Sequence, residues 1–331
     1  MEELLAGLRA AAEATRVRIL FVLSHGEFNV SELTQILGQS QPRVSRHLKL
    51  MAEAGLVTRH KEGNWVLFRL SEANLGGALT RAIVGLRPGA DQELARDLAR
   101  LDDVRAARAE AASRYFSDNA ARWDELRSLY VKEEDVEAAM LRLMGGDPIR
   151  LLVDLGTGTG SVLKSFAATA GQAIGIDSSR AMLAIARANM DRLGARHIQV
   201  RHGDLYALPF ADASADAVTI HQVLHYLDDP GRALNEAARI LEPGGRLLIA
   251  DFAPHELEQL REQHAHRRLG VAAEHLAQWL QRAGLSLVHH DILPPPWRKE
   301  SPGLTVSLWL AVKPPIADAI TRRPTAVELF R

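Results

Sequence analysis

Residues 151–160, LLVDLGTGTG, join an apolar run to a carboxylate and then to three glycines at every second position. Glycines at the end of a strand let the backbone turn tightly and let a ligand approach the peptide groups closely. A dinucleotide-binding loop spaces its glycines as G-x-G-x-x-G and seats a pyrophosphate at the start of the next helix. Here Gly156, Gly158 and Gly160 are one residue tighter. The spacing therefore favours a ligand other than a dinucleotide.

Asp154, two residues before the first glycine, narrows the chemistry of that ligand. A carboxylate would repel a pyrophosphate but attract an ammonium or a sulfonium group. No Lys-Ser/Thr pair follows the glycines, which argues against a loop for nucleoside triphosphates. The residues favour a nucleoside-like ligand with cationic groups and no phosphates, and S-adenosylmethionine has these properties. The alternative is that the three glycines form only a structural turn.

Polar side chains also end the next apolar runs of the chain. Asp177 ends AIGID, where a carboxylate can accept hydrogen bonds from both ribose hydroxyls. Asp204 in RHGDL could accept a hydrogen bond from an adenine amino group, and His221 at the end of AVTIH would face the reactive end of the ligand. Because acids stand at three strand ends, a purely structural turn is the weaker interpretation.

From residue 150 onward, short apolar runs alternate with helical patterns: LLVDL, AIGID, IQVRHGD, AVTIH and RLLIADF. This alternation predicts an α/β fold with a doubly wound, mostly parallel sheet. Two later runs, LSLVHHDIL and LTVSLWLAVK, are predicted to add edge strands.

Residues 112–312 resemble the class I S-adenosylmethionine-dependent methyltransferases, through DLGTGTG, GIDSS, GDLYALPF, HQVLHYL and LEPGGRLLIADF in that order. The resemblance implies a Rossmann-like fold and S-adenosylmethionine or S-adenosylhomocysteine as the cofactor. It also implies that RYFSDNAARWDEL packs over the cofactor, although its aromatic residues could equally be ordinary core residues of a connector helix. The candidate cofactor contacts are Asp154, Gly156, Thr157, Gly158, Gly160, Asp177, Ser178, Met182, Asp204, Leu205, His221, Tyr115 and Trp123.

Methyl transfer is an in-line displacement at a sulfonium, helped by positioning and by a base where the acceptor is protonated. Candidate bases are His221, His225 and Tyr226. The segment DFAPHELEQLREQHAHRRLG looks metal-binding, but histidines two residues apart on a helix do not face one another. We therefore predict no metal site, and a solvated or pocket-lining role for His255, His264 and His266. The chain has no cysteine, which excludes an arsenite acceptor that needs thiolates, and no other acceptor is indicated.

A different pattern occupies residues 29–57. Asn29 with Glu32 predicts a capping box at the start of a short helix, and a GQS turn leads to a second helix with Pro42 in its first turn. This predicts a helix-turn-helix whose polar side suits a major groove, followed by a two-stranded wing in VTRHKEGNWVLFRL. The alternative is a solvated charged face on a helical hairpin. The candidate DNA contacts are Ser40, Gln41, Arg43, Ser45, Arg46, Lys49, Arg59 and Lys61.

The full chain has a formal net charge of −1, so a basic surface for nucleic acid must be local. Residues 5–85 resemble the ArsR-type winged-helix repressors, in QPRVSRHLKLMAEAGLV and in the wing. The resemblance implies operator DNA as a partner and a homodimer formed through the first and last helices, here 2–13 and 72–86. The cysteines or His/Asp sets of metal-sensing members are missing from the sensing helices. A thiolate metal signal is therefore excluded.

These patterns divide the chain into a winged helix-turn-helix domain (1–85), a helical connector with the cofactor-covering segment (86–145), a methyltransferase domain (146–313) and a tail (314–331). No apolar signal core or run of 18 apolar residues occurs, so we expect no membrane association and a cytoplasmic location.

Two functional hypotheses remain. The first is a DNA-binding transcriptional regulator whose methyltransferase-like domain binds S-adenosylmethionine or S-adenosylhomocysteine as an effector. The second is an active methyltransferase, with a small-molecule acceptor, that carries a DNA-binding module. We favour the first, because it needs only cofactor contacts and a coupling helix.

Overall fold

The computed structural model describes residues 1–62, 65–71, 74–86, 91–123, 132–295 and 303–315. The chain divides into two compact units. The first contains residues 1–118, 225–229 and 254–270, and the second contains residues 119–224, 230–253 and 271–331. The predicted domain boundaries stay a prediction. No helix in the described part of the chain is long and apolar enough to span a bilayer.

The first unit begins with a winged-helix arrangement. Its elements are α1 (Glu2–Ala11), α2 (Ala14–Leu23), β1 (Phe28–Asn29), α3 (Val30–Leu37), α4 (Gln41–Glu53), β2 (Val57–Glu62), β3 (Trp65–Leu70), α5 (Asn74–Gly85), α6 (Gln92–Asn119) and the short α11 (Glu258–Gln263). Strands β1, β3 and β2 form an antiparallel sheet in that order. The predicted wing strands are confirmed, whereas Gly63 and Asn64 of the wing turn lie outside the described residues.

The predicted helix-turn-helix is confirmed in detail. The Asn29 side chain accepts a hydrogen bond from the Glu32 amide, and the Glu32 carboxylate accepts one from the Asn29 amide, each at 3.0 Å. Gly38 ends α3 in the left-handed conformation, at φ 62°, which suits a residue without a Cβ. The inward face of α4 is apolar and fully buried, through Val44, Leu48 and Met51.

Helix α6 packs into the core of this unit. Its apolar stripe is buried through Leu94, Leu101 and Val104. One turn after Leu94, the carboxylate of Asp97 is fully buried and accepts two hydrogen bonds from the Arg18 guanidinium, at 2.5 and 2.7 Å. A buried carboxylate is tolerated only with such a partner, so the ion pair fixes the register of α6 against α2.

The second unit is built on a seven-stranded sheet, in the order β6-β5-β4-β7-β8-β10-β9. Its strands are β4 (Ile149–Leu155), β5 (Ala170–Asp177), β6 (Ile198–His202), β7 (Ala215–His221), β8 (Leu241–Phe252), β9 (Ser286–Leu293) and β10 (Val306–Val312). Its helices are α7 (Glu133–Met144), α8 (Ser161–Ser165), α9 (Arg180–Leu193), α10 (Pro230–Ile240) and α12 (Ala273–Arg282), with a 3-10 turn at Ala120–Arg122.

The predicted doubly wound sheet is confirmed, with one correction. Strands β6, β5, β4, β7 and β8 are parallel, while β10 and β9 are antiparallel to their neighbours. Both late runs form strands, but β10 lies between β8 and β9 and is therefore not an edge strand. The apolar side chains of β10 explain its inner position, since Leu308 and Trp309 are fully buried. The chain leaves β4 toward β5 on one side, and β7 lies on the other side. In a doubly wound sheet, ligands bind in the crevice outside the carboxyl ends of the strands, at the point where the strand order reverses in this way.

Close packing of α5 against the end of α4 gives a stability prediction. A Cβ atom on Gly76 would lie 2.0 Å from the carbonyl oxygen of Gly55. Because the obstacle is backbone, Gly76→Ala should lower the free energy of unfolding by about 1–3 kcal/mol. Gly85→Ala in the same helix, where nothing lies within 4 Å of the new Cβ, is the control and should be neutral or slightly stabilising. Urea denaturation followed by circular dichroism measures both, and equal midpoints would contradict the packing.

Candidate ligand site and nucleic-acid interface

The glycine loop at the end of β4 depends on its glycines. Gly156, Gly158 and Gly160 have φ angles of 71°, 52° and 84°, in the region that side chains disfavour. A Cβ atom on Gly156 would lie 2.4 Å from Cγ2 of Val223, and one on Gly158 would lie 3.6 Å from Nε1 of Trp123. The loop therefore presents its backbone between the chain after β7 and an indole ring.

Asp177 at the end of β5 is tied to this loop. Its Oδ2 accepts a hydrogen bond from the Gly158 amide at 2.9 Å, and its Oδ1 accepts one from the Ser179 amide at 2.7 Å. Burial raises the pKa of the Asp177 carboxyl, against the hydrogen bonds from Ser179 and Gly158, which act to lower it. The carboxylate is thus fixed beside the loop, where the sequence predicted a ribose-binding acid.

Asp154 is directed into the sheet. Its side chain is 1% exposed, and its Oδ1 accepts a hydrogen bond from the Thr219 hydroxyl at 2.7 Å. Asp154 lies in β4 and Thr219 in the neighbouring β7, where the two residues are register partners. The carboxylate links two strands of the sheet, and its predicted contact with a cationic ligand stays a prediction.

His221 at the end of β7 contacts a carboxylate that sequence reasoning missed. Its Nε2 lies 3.6 Å from Oε2 of Glu133, and Nε2 of Gln222 donates to Oε1 of Glu133 at 3.0 Å. Glu133 opens α7 beside two further acids, Glu134 and Asp135. Acidic residues are common in the first turn of any helix, so the sequence carried no signal to single this one out.

The other predicted cofactor residues of the second unit lie around the same strand ends. Asp204 is exposed and accepts a hydrogen bond from the Tyr206 amide at 2.9 Å, while Leu205 is buried. Ser178 is exposed, Thr157 is buried within the loop, and Met182 is buried at the start of α9. Residues 124–126, the end of the predicted covering segment, lie outside the described residues.

Tyr115 belongs to the first unit, as do His225, His255, His264 and His266. The Tyr115 hydroxyl lies 2.7 Å from Nδ1 of His264, and the rings of His225 and His266 have centroids 4.2 Å apart. Tyr226 packs against this imidazole pair, at centroid distances of 4.1 and 5.1 Å from His225 and His266. The predicted cofactor contact of Tyr115 stays a prediction.

One premise about these histidines is wrong. His264 and His266 do not lie on a helix, because α11 ends at Gln263 and Ala265 has a φ of 56°. His266 is 5% exposed rather than solvated, and burial lowers the pKa of its imidazole, as does the charge of nearby histidines. Burial also lowers the pKa of His264. Within the described residues, no group of three or more acidic or imidazole side chains could hold a metal ion.

The candidate DNA-binding surface is open to solvent. All eight predicted contacts are exposed, on the outer side of α4 and on β2: Ser40, Gln41, Arg43, Ser45, Arg46, Lys49, Arg59 and Lys61. Two of these cations form long ion pairs with acids, Arg43 at 4.0 Å from Glu13 and Lys49 at 3.9 Å from Glu53. Such exposed pairs are weak, so the cations remain available to phosphates.

Comparison with known proteins identifies both domains. Residues 153–249 match the family model of a methyltransferase domain, and residues 13–59 match that of the bacterial regulatory proteins of the arsR family. The chain is 38% identical over 146 residues to a demethylmenaquinone methyltransferase of Thermus thermophilus, which covers 42% of this chain and 64% of that protein. It is 32% identical over 166 residues to an uncharacterized transposon protein of Streptomyces fradiae, covering 46% of this chain and 48% of that protein. The chain thus spans between about half and two thirds of these relatives.

A solved structure supports the fold of the second unit. A protein named as a methyltransferase, in complex with the Haloferax volcanii Trm112 methyltransferase activator, has a TM-score of 0.50 and 26% identity. The similarity covers 60% of this chain and 97% of that one. The fold and the sheet edge thus define a class I methyltransferase domain joined to a DNA-binding helix-turn-helix. More particularly, the chain combines an arsR-family domain at residues 13–59 with a methyltransferase domain at residues 153–249.

The exposed cations of α4 predict a salt-dependent contact with DNA. The double variant Arg46→Ala/Lys49→Ala should weaken operator binding and reduce the log–log salt slope by roughly one unit per lost phosphate contact. Arg187→Ala/Arg192→Ala removes two exposed cations from α9 and is the charge-matched control. Fluorescence anisotropy over a salt series measures the slope. Wild-type affinity in the α4 variant would show that this face does not bind DNA.

The fixed carboxylate of Asp177 predicts a ligand contact. Asp177→Asn should weaken binding of S-adenosylhomocysteine by about 1–3 kcal/mol, because ribose hydroxyls would lose their charged acceptor. Asp191→Asn, an exposed acid on α9, is the control. Isothermal titration calorimetry measures both variants. Binding of NADH without binding of S-adenosylhomocysteine would overturn the choice of ligand.

Proposed function

We propose that this protein is a DNA-binding transcriptional regulator whose methyltransferase domain binds S-adenosylmethionine or S-adenosylhomocysteine as an effector. One side chain carries the proposal. Arg108 on α6 forms ion pairs with Glu32, in the first helix of the helix-turn-helix, and with Asp228, in the segment that follows β7. All three residues belong to the first compact unit. Arg108 therefore attaches a segment of the methyltransferase sequence to the DNA-binding fold through ion pairs.

The residues at the candidate ligand site fit an adenosyl ligand. Among the described residues, carboxylates surround the glycine loop, from Asp154, Asp177 and Glu133, and they would repel a phosphate ligand. Asp177 would accept the ribose hydroxyls, Asp204 would bind the adenine amino group, and the loop backbone would contact the remainder of the ligand.

The ion pairs of Arg108 are largely shielded from solvent. The side chains of Arg108 and Asp228 are 15% and 21% exposed, with 3.0 Å between Nη1 and Oδ1. The guanidinium also lies 5.4 Å from the ring centroid of Phe28, in β1. Arg267 approaches the same Asp228 oxygen at 2.7 Å, and burial lowers its pKa to about 10 although Asp228 acts to raise it. Two guanidinium groups share one carboxylate, so a movement of Asp228 changes the contacts of Arg108.

Hydrogen bonds from Arg267 and Arg268 hold the segment that carries Asp228. The amides of Arg267 and Arg268 donate to the carbonyl of His225 at 2.9 and 3.1 Å, and the Arg268 side chain donates to the carbonyls of Leu227 and Asp228. Through the backbone of residues 222–224, this segment continues directly from His221 at the end of β7. A ligand that changes the backbone after β7 therefore acts on the position of Asp228.

Two further contacts of α6 reach the winged-helix fold. Arg100 donates to the carbonyl of Ile36 in α3 at 2.5 Å, and Arg105 donates to the carbonyl of His25, after the end of α2. Displacing α6 therefore strains α3 at its last turn, immediately before the turn into α4. A ligand alters DNA affinity only if it binds the two arrangements differently. Helix α6 is the element whose position ligand binding and DNA binding would both change.

A homodimer through α1 and α5 is part of the proposal. Leu5, Leu8 and Leu75 on these helices are 40%, 44% and 37% exposed. Exposed leucines on one pair of helices suit a partner surface. A dimer would place two α4 helices in successive major grooves, about one helical turn apart.

The second candidate function is an active methyltransferase with a small-molecule acceptor. It is favoured by the 38% identity to a demethylmenaquinone methyltransferase. S-adenosylmethionine would supply an electrophilic methyl group on a sulfonium. The candidate bases are His221, at the end of β7, and His225 and Tyr226, in the segment that follows it.

Operator titration with each ligand at saturation tests the proposal, using an operator selected from random duplexes. One of the two ligands should change operator affinity by about 5–150-fold, a typical coupling between two sites. A parallel assay measures methyl loss from S-adenosylmethionine. Changes of operator affinity below about twofold, or about 0.4 kcal/mol, together with methyl transfer to an acceptor, would refute the regulator and support the active methyltransferase.

The variant Arg108→Gln, measured in the same titration, tests whether the ion pairs of Arg108 couple ligand binding to DNA binding. This variant should reduce the effect of the ligand on operator affinity to below about twofold, because the ion pairs to Glu32 and Asp228 are lost. Ligand affinity without DNA, and operator affinity without ligand, should each stay within about threefold of wild type. Arg114→Gln is the matched control, since Arg114 lies on the same helix and pairs with Glu110 at its exposed surface. An undiminished ligand effect in Arg108→Gln would exclude this route.

A further inference from the structure

Glu133 lies where the candidate ligand site ends, and its surroundings are specific. Its carboxylate accepts a hydrogen bond from the side-chain amide of Gln222 at 3.0 Å and lies 3.6 Å from Nε2 of His221. The side chain of Glu133 is 16% exposed and that of His221 is 3% exposed. The three residues come from α7 and from the end of β7, and they all belong to the second compact unit.

Attachment of α7 does not depend on Glu133. One turn further along the helix, Glu137 accepts hydrogen bonds from the hydroxyls of Ser161 and Ser165, at 2.8 and 2.5 Å. At the other end of the helix, the Arg246 guanidinium donates to the carbonyl of Met144 at 2.6 Å. The inner face of α7 is buried through Val136, Ala139, Met140 and Met144. The helix is therefore held by its core face and by other polar contacts.

Gln222 has an unusual backbone. Its φ is 54°, in the left-handed region that a residue with a side chain disfavours, and its amide donates to the carbonyl of Ala250 at 2.7 Å. Strain of this kind is retained where the surrounding structure imposes it, and it is concentrated at functional sites. The strained residue directs its side-chain amide to Glu133, so the carboxylate is oriented by the end of β7.

The position of this cluster follows from the register of the sheet. Leu155 in β4 pairs with Ile220 in β7, so His221 ends β7 beside the first residue of the glycine loop. Val223 lies against Gly156, and Trp123 lies against Gly158. Residues 221–223 thus border the loop along the edge of the sheet where parallel strands bind their ligands. Glu133 is brought to that border by His221 and Gln222.

Two acids could recognise a cationic group at this border, and they differ in access. Asp154 is 1% exposed and lies between strands with Thr219 as its hydrogen-bond donor. Glu133 keeps a solvent-accessible fraction and lies outside the sheet. A carboxylate that must exchange solvent for a ligand ammonium needs such access, and a charge-assisted hydrogen bond in a partly buried site is strong.

We propose that Glu133, oriented by Gln222, binds the α-ammonium group of the amino-acid end of the adenosyl ligand. This inference rests on the proposed ligand. It makes Glu133 the residue that selects S-adenosylmethionine and S-adenosylhomocysteine over adenosyl compounds that lack an amino acid, such as 5′-methylthioadenosine. Gln222 is a positioning residue that fixes the direction of the carboxylate.

Calorimetry with a matched ligand pair tests the inference. Glu133→Gln should bind S-adenosylhomocysteine about 10–100-fold more weakly than wild type, the loss expected for a hydrogen bond to a charged group. Its affinity for 5′-methylthioadenosine should stay within about threefold, because that ligand has no ammonium group. Glu134→Gln, which removes an exposed charge from the neighbouring position, is the control and should change neither affinity.

The ratio of the affinities for S-adenosylhomocysteine and 5′-methylthioadenosine distinguishes a role of Glu133 in ligand recognition from a purely structural role. A merely structural role for Glu133 would weaken both ligands equally, and that result would overturn the inference. Unchanged binding of both ligands by Glu133→Gln would overturn it as well. Glu133→Asp keeps the charge and should retain more of the selectivity than Glu133→Gln. Wild-type protein that binds neither ligand would refute the adenosyl ligand itself. A ligand-dependent change of operator affinity in the wild type, together with equal weakening of both ligands by Glu133→Gln, would refute only the role of Glu133.

Discussion

The buried ion pair between Arg18 and Asp97 is the constraint on which the arrangement of the first unit depends. The Asp97 carboxylate is fully buried, and the pKa of Arg18 is raised by its hydrogen bonds to Asp97, against the effect of burial. Separating the pair would leave the buried Asp97 carboxylate with only Arg100, from its own helix, so α6 is held at one register on the winged helix. Arg100 and Arg108, further along the same helix, can then reach Ile36 and Glu32.

Hydrophobic patterning could predict both folds because each has a regular period. The spacing of Val44, Leu48 and Met51 fixed the inner face of α4, and the polar ends of β5 and β7 placed Asp177 and His221 at one edge of the sheet. Parallel strands bring their carboxyl ends together whatever the intervening sequence. Residues whose roles follow from position on such a strand or helix are therefore predictable.

Contacts between side chains distant in sequence could not be predicted in this way. Asp154 has the expected place on its strand, but its hydrogen bond to Thr219 depends on which strand lies beside β4. Glu133 joins His221 only because α7 packs at the end of β7. The histidines at 264 and 266 were assigned to a helix that in fact ends at Gln263, because the local pattern did not reveal the left-handed residue between them.

The chain order gives the proposed regulator a covalent connection between its two domains. The strand that ends at His221 continues into the segment that carries Asp228, and Asp228 binds the helix that supports the helix-turn-helix. In the proposed regulator, a ligand that rearranges this segment would change DNA affinity, and DNA binding would change ligand affinity by the same factor. A catalytic turnover would not abolish this coupling, because it converts one adenosyl ligand into the other within the same site. A regulator with this architecture would then respond to the ratio of the two ligands, with the difference in their affinities for the two arrangements of α6 setting the size of the response.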